Sequence, residues 1–286
     1  MTKKRNKDIA YSVLNILVLL LAAIVFVFKY ADLEIFRSAS ARQIFIVTMS
    51  VVLVHIVKAS RFYLALYGQN ITPSVYIKTY CKVTPISLLF PYKIGELFRM
   101  YCYGRTIGNM LRGIIIVLLD RFIDTAALLT ILVAMLIWEG GRLTALVYIL
   151  IAFILLLLFI FFAFPATYLY WKKYLLRADA TVAKNKMLRT LAYLNRIYRE
   201  VENVIKGRGG LLYLLSIIAW AIEIGGVCII KRLQEDQGAL GEKILQYLSS
   251  ALTGNQVVEM RQFVFISIVL LIAIYVFVKG AEVLRK

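Results

Sequence analysis

Glu96, Arg99, Asp120, Arg121 and Asp124 are the residues of this chain whose types and spacing best suit chemistry. Glu96 and Arg99 are three apart, so on a helix they share a face and could pair. They follow Pro91 and Lys93 at a break between apolar segments, with Gly95 between. A broken helix there could offer its first amides, Arg99 and Lys93 to an anionic headgroup or phosphate, and Gly95 would let backbone approach closely. Asp120 and Asp124 are four apart and face one way, while Arg121 points about 100° round. Two readings stay open for that set. Its carboxylates hold a cation, a proton or an arginine that opens and closes, or a cation such as Arg121 or Arg99 neutralises them and locks two helices. Glu223 is a third candidate buried acid, with an ion pair to a basic residue of the third helix as the alternative. Charge inside an apolar span is costly, and such a residue is by default a functional hypothesis.

The elements that must position these residues belong to a membrane. Of 286 residues 62% are hydrophobic, and the mean hydropathy of +0.80 marks an integral membrane protein. The net charge of +18 fits membrane topology and attraction to anionic lipid headgroups better than nucleic acid, because no aromatic-interleaved basic module is present. Cys81, Cys102 and Cys228 make neither a zinc spacing nor a disulfide framework, and His55 is the only histidine. No metal site, cofactor or catalytic residue is expected. P-loop, HExxH, CxxC and nucleophile-elbow patterns do not occur, which makes an enzyme the weaker class.

Six apolar runs are long enough to cross: Tyr11 to Phe28, Ile44 to Tyr67, Met110 to Trp138, Leu143 to Phe164, Leu211 to Ile230 and Gln262 to Val278. The first reads as a retained helix, since no small-residue cleavage site precedes Lys29. His55, Lys58 and Arg61 followed by Phe62 and Tyr63 read as the point where the second helix leaves hydrocarbon. Pro165 should end the fourth. Ser74 to Phe90 and Pro91 to Arg105 are too short, polar or broken to cross and read as a re-entrant pair. Ile244 to Val258 is another short, partly polar segment. Gly104 and Gly108 make a GxxxG spacing at a loop-to-helix junction and carry little weight as a packing motif. The fold class is therefore all-α, with about six transmembrane helices plus one or two re-entrant or broken pairs, in one transmembrane domain over 1–286.

Residues 172–208 form a basic connector within it. Met187, Leu191, Leu194, Tyr198, Val201 and Ile205 recur at helical spacing there. A helix lying on the inner leaflet and a plain connector packed on the bundle are equally good readings. With the N-terminus in the cytoplasm, 25 Lys and Arg fall inside and 8 outside. The positive-inside rule then puts both termini in the cytoplasm, in a multi-pass protein of the inner (cytoplasmic) cell membrane.

Three stretches together resemble a known family. Lys58-Ala59-Ser60-Arg61-Phe62-Tyr63, then Pro91 through Gly95-Glu96 to Arg99, then Asp120-Arg121-Phe122-Ile123-Asp124 resemble the lysylphosphatidylglycerol synthase transmembrane, flippase-like family. Pro91, Gly95, Glu96, Arg99, Arg121 and Asp124 match its pattern one by one. Tyr92 stands where the family usually has Gly, and Asp120 where it usually has Glu. A looser likeness continues through Trp220 and Glu223. The family's second Pro-Gly-Gly-x-Gly-x-x-Glu loop is reduced here to Thr253-Gly254-Asn255-Gln256-Val257-Val258-Glu259.

The resemblance implies movement of a lipid without its aminoacylation, since no soluble aminoacyl-transfer domain is attached. The expected function is transfer of a phospholipid or polyprenyl-phosphate-linked lipid between leaflets. The alternative is a membrane enzyme, or enzyme subunit, acting on a lipid-linked sugar or phosphate; a lipid-recruiting scaffold is a third reading. The candidate substrate-binding residues are Arg61, Lys93, Gly95, Glu96, Arg99, Asp120, Arg121, Asp124 and Glu223. Expected partners are the lipid substrate, anionic membrane lipids, and a second copy or a biosynthetic enzyme.

Overall fold

A computed structural model describes residues 2–30, 36, 39–90, 94–140, 144–177, 181–233, 240–253 and 257–284. Their regular elements are all helices: α1 (Thr2–Tyr30), α2 (Ala41–Ala65), α3 (Pro73–Leu89), α4 (Ile94–Ile107), α5 (Met110–Trp138), α6 (Ala145–Arg177), α7 (Val182–Ile205), α8 (Gly209–Leu233), α9 (Leu240–Thr253) and α10 (Val258–Leu284). Five stretches are long and apolar enough to cross a membrane: Tyr11–Tyr30, Ala41–Ala65, Ala145–Arg177, Gly209–Ile230 and Val258–Ala281. The 29-residue α5 adds a sixth by length, with Asp120, Arg121 and Asp124 lodged along it.

Local chemistry sets the helix starts. Ser40 caps α2 with a reciprocal pair of bonds: its hydroxyl accepts from the Gln43 amide at 3.3 Å, and the Gln43 side chain accepts from the Ser40 amide at 3.0 Å. Asn109 accepts from the Arg112 amide and opens α5, and Thr181 accepts from the Lys184 amide and opens α7. Pro73 stands in the first turn of α3, where a missing N–H costs nothing.

One proline expectation is corrected. Pro165 does not end the fourth span; α6 runs through it to Arg177. Pro85 likewise lies inside α3, which stays one helix to Leu89. A proline removes one hydrogen bond, and an apolar surrounding offers the chain no water to reward further unwinding.

The short pair does form. α3 and α4 are 17 and 14 residues, about 26 and 21 Å at 1.5 Å per residue, less than a hydrocarbon core of about 30 Å. They pack on each other, α4 on α5, and α3 on α10. Glycine makes the first two contacts close. A Cβ on Gly95 would lie 2.5 Å from the Ser87 Cα and 2.7 Å from the Ile86 carbonyl. A Cβ on Gly113 would run into the Gly104 backbone across the α4–α5 turn. Gly104 is thus a packing residue, contrary to the small weight given it above, and its partner is Gly113 rather than Gly108.

The largest contact surface joins α2 to α8. One apolar core gathers α1 to α5, α8, α9 and α10 around Phe62, Tyr103, Ile116 and Ile268. A second sits between α5, α6, α8 and α9 around Leu132, Trp220 and Leu248. α6 stays largely uncovered, with Ile149, Phe159 and Phe162 exposed. The basic connector is α7, which packs on both α5 and α6. Tyr198 lies 5.1 Å from the Phe161 ring and 5.0 Å from that of Phe164, and Glu200 pairs with Arg112 at 3.1 Å. The C-terminal half of α7 is a packed connector, while Val182, Met187 and Leu194 remain exposed.

Gly113→Ala should lower the unfolding midpoint of the purified protein by the equivalent of about 1–3 kcal/mol, the usual cost of overpacking. Gly225→Ala meets nothing within 4 Å and should be neutral or slightly stabilising. A fluorescence-monitored thermal melt in micelles checks both.

Candidate functional site

Three helices bring charged side chains to a common point, and a fourth adds a hydroxyl. α2 supplies Arg61, α4 supplies Glu96 and Arg99, and α5 supplies Asp120, Arg121 and Asp124. α8 adds the hydroxyl of Ser216, to which the Arg61 guanidinium donates. Arg61 lies 2.8 Å from Asp120 and 2.5 Å from Asp124, so it spans both aspartates of one α5 face. Arg99 takes the other oxygen of Asp120 at 3.1 Å and pairs with Glu96 at 3.5 Å. Arg121 reaches Glu96 at 2.7 Å, and the Ser87 hydroxyl of α3 donates to the same carboxylate oxygen. The result is an unbroken chain of ion pairs, Asp124–Arg61–Asp120–Arg99–Glu96–Arg121.

Three guanidiniums face three carboxylates, so the described groups are neutral as a set. Taking such charges out of water is expensive, and only close pairing with additional hydrogen bonds offsets the cost. Arg61 and Arg99 are each 3% exposed and Asp120 is 4%. The Phe62 ring covers the Arg99 guanidinium at 4.2 Å, a desolvated cation–π contact. Burial relaxes at one end only: the Arg121 side chain is 35% exposed. Some hydrogen-bonding capacity is unspent there. Glu96 Oε2, Arg99 Nε and Arg121 Nε are buried and have no hydrogen-bond partner.

The residues singled out by sequence divide as follows. Arg61, Glu96, Arg99, Asp120, Arg121 and Asp124 meet in this network. Gly95 lies beside it, buried against the α3 backbone. Lys93 falls outside the described residues. Glu223 is buried but does not join. It pairs at 3.3 Å with Lys58 of α2, not with a base of the third helix, and accepts from the Tyr247 hydroxyl at 2.7 Å. Lys58 also sits 5.0 Å over the Trp220 ring.

Two pairings differ from the sequence reading. Arg121 does not neutralise Asp120 or Asp124. As their neighbour on one helix it leaves by another face and turns to Glu96. Arg61, read as a residue marking the end of a span, points inward instead and is the hinge of the network. Its direction follows from geometry: Lys58 and Arg61 are three apart, and Ser216 and Glu223 are seven apart, so each pair shares a face. Lys58 meets Glu223 as Arg61 meets Ser216, which is an antiparallel polar seam between α2 and α8. Ser216 and Tyr247 were missed. Ser216 could have been found from its two-turn spacing to Glu223; a lone tyrosine in α9 carried no such signal. His55 is buried, with Nδ1 3.1 Å from the Tyr80 hydroxyl. Among the described residues no group of three or more His, Cys, Asp and Glu could hold a metal ion.

The model for the lysylphosphatidylglycerol synthase TM region matches residues 12–254. The chain belongs to that family, whose membrane proteins are of the lipid-modification and flippase-related kind. No curated protein and no solved structure matches the chain.

Asp120→Asn would leave Arg61 and Arg99 sharing too little negative charge in a buried place. It should destabilise the protein by about 3–5 kcal/mol, the usual penalty for stranding a buried ion. Lys58→Gln should cost less, because Lys58 is 23% exposed and Glu223 keeps Tyr247. Denaturant titration of both variants gives the comparison.

Proposed function

We propose that this protein moves a phosphate-bearing amphipathic lipid, a phospholipid or a polyprenyl-phosphate-linked lipid, between leaflets, with the Glu96–Arg99–Arg121 end of the ion-pair chain as the headgroup site. The observation that carries the reading is the combination found at that end. Two arginines with unspent donors meet there, Arg99 on the short α4 and Arg121, whose side chain is 35% exposed, on the long α5. Guanidinium is the group best shaped to take phosphate oxygens in pairs. Family membership supports a lipid as the molecule handled.

In the proposed mechanism the headgroup meets Arg121 first and then Arg99. The interior pairs of Arg61 with Asp120 and Asp124 hold α2, α5 and α8 as a fixed wall. The α3–α4 hairpin is the part that rocks, because its tie to Arg121 at the exposed end is an exchangeable ion pair. The Lys58–Glu223–Tyr247 group forms a separate polar layer one helical turn along α2 and closes the far end of the path. Both termini in the cytoplasm of the inner membrane, as the 25-to-8 charge count favours, would open the hairpin toward the cytoplasm. Lipid movement of this kind needs no covalent step.

Arg121→Gln should fold, because Arg121 is partly exposed, and should cut the transbilayer rate of a fluorescent phospholipid in reconstituted vesicles by about tenfold or more, the loss expected for one charge-assisted contact worth about 1.5–3 kcal/mol. Wild-type vesicles no faster than protein-free vesicles would contradict the proposal. Metal-dependent chemical turnover of the lipid would point to an enzyme instead.

A further inference from the structure

The charge count of the network carries a consequence for whatever anion enters it. Its described groups are balanced, with Arg61, Arg99 and Arg121 against Glu96, Asp120 and Asp124. A phosphodiester monoanion brings one more negative charge. At this depth an uncompensated charge is costly, so the site either repels the anion or gives up a charge of its own.

The six groups are not equally able to change state. Asp120 is held by Arg61 and Arg99, at 2.8 and 3.1 Å. Asp124 is held by Arg61 at 2.5 Å. The arginines keep their charge in any accessible condition. Glu96 differs. Its Oε1 takes Arg121 and Ser87, but its Oε2 has only the 3.5 Å approach of Arg99 and no hydrogen bond. Donors are in surplus around it, since Arg99 Nε and Arg121 Nε are unpartnered. A carboxylate has too few well-placed oxygens to satisfy both guanidiniums. A phosphodiester has two free oxygens and more reach. Glu96 stands where such an anion would sit, as a resident substitute for it.

We infer that the anion and a proton bind together: a phosphodiester displaces the Glu96 carboxylate from Arg99 and Arg121, and Glu96 takes up one proton at Oε2. The inference deepens the headgroup reading above and rests on it. The surroundings of Glu96 fit this assignment. From α3 come Ser87, whose hydroxyl donates to Glu96 Oε1 and leaves Oε2 for the proton, and Lys82, which is engaged by Asn15 and lies 5.6 Å over the Phe98 ring. From α4 come Arg99 and the buried Tyr103; from α5 come Arg121 and Asp120; α2 contributes Arg61 by way of Asp120. Glu96 Oε2 is a buried carboxylate oxygen with no hydrogen bond, and Glu96 is the carboxylate paired with the partly exposed Arg121. Proton uptake keeps the site neutral with anion bound, so lower pH favours binding and higher pH opposes it. A protonated Glu96 also releases α4 from Arg121 of α5, which ties the proton to the hairpin motion.

The test uses the whole protein in nonionic micelles and two phosphodiesters that do not themselves titrate near neutrality: dihexanoyl phosphatidylglycerol and dimethyl phosphate. Calorimetry in buffers of different ionisation enthalpy counts protons per anion bound. The expected result is about one proton taken up, with affinity falling about tenfold per pH unit on the alkaline side. Binding of the lipid alone assigns the site to a lipid headgroup, and equal binding of both assigns it to the free anion; the proton count is required of whichever binds. Glu96→Gln should bind with no proton uptake and no pH dependence, and Glu96→Asp should keep both. Anion binding by the wild type without proton uptake overturns the inference, and so does uptake that survives in Glu96→Gln. If Glu96→Gln fails to fold, the wild-type count decides alone. Lipid transport is read separately in vesicles. Proton-linked binding without transport leaves this inference standing and removes the translocation reading, whereas no anion binding at any pH removes both.

Discussion

A guanidinium or carboxylate cannot be left alone inside an apolar bundle, and that single constraint organises this molecule. Arg61 satisfies it for three helices at once. Its two ion pairs to α5 and its bond to Ser216 of α8 draw α2, α5 and α8 to one point. Arg99 extends the same logic to α4 through Asp120. Because each aspartate or arginine of the interior is needed by a partner on another helix, the positions of four helices are fixed together rather than pairwise. Buried ion pairs of this sort contribute little net stability compared with apolar packing. They specify instead: any register that separates one pair strands a charge.

Glycine makes the arrangement sterically feasible. Arg99 and Glu96 of α4 reach Asp120 and Arg121 of α5, and the Gly104–Gly113 contact lets the two helices lie close. Gly95 does the same between α4 and α3, and so places Glu96 next to Ser87. The hairpin is therefore held by close backbone contact at these glycines as well as by the core side chains Tyr80, Ile86, Phe98 and Tyr103.

Much of this was legible in the residues. Span positions and the all-helical class follow from apolar length, and the short α3–α4 pair follows from Lys78, Lys82, Pro85 and the Pro91–Gly95 break. Glu96 with Arg99, at three-residue spacing, was legible as a pair. The network's wiring was not. Helical spacing says which residues share a face but not which faces meet, so the aspartates' partner stayed open between Arg121 and Arg99, of which Arg99 is the one that pairs with Asp120, and the alternative ion pair of Glu223 was placed on the wrong helix. Arg61 looked like an interfacial residue because aromatic residues follow it; its inward direction depends on α8, 155 residues away in sequence. Pro165 misled because a proline breaks helices most readily where water can take the freed carbonyl, and α6 faces an apolar surrounding. Pro91, which matches the family's pattern, Lys93 and the degenerate segment around Gly254 lie outside the described residues.

The central claim is that a lipid phosphate is held at the exposed end of the ion-pair chain rather than on the outer surface of the bundle. Photo-crosslinking tests it most directly. A phospholipid carrying a diazirine next to its phosphate is irradiated with the protein in a native-like bilayer, and the labelled peptides are sequenced. The account predicts label between residues 94 and 124, lost in Arg121→Gln. Label confined to the lipid-facing surface of α6, and unchanged by that substitution, would contradict it.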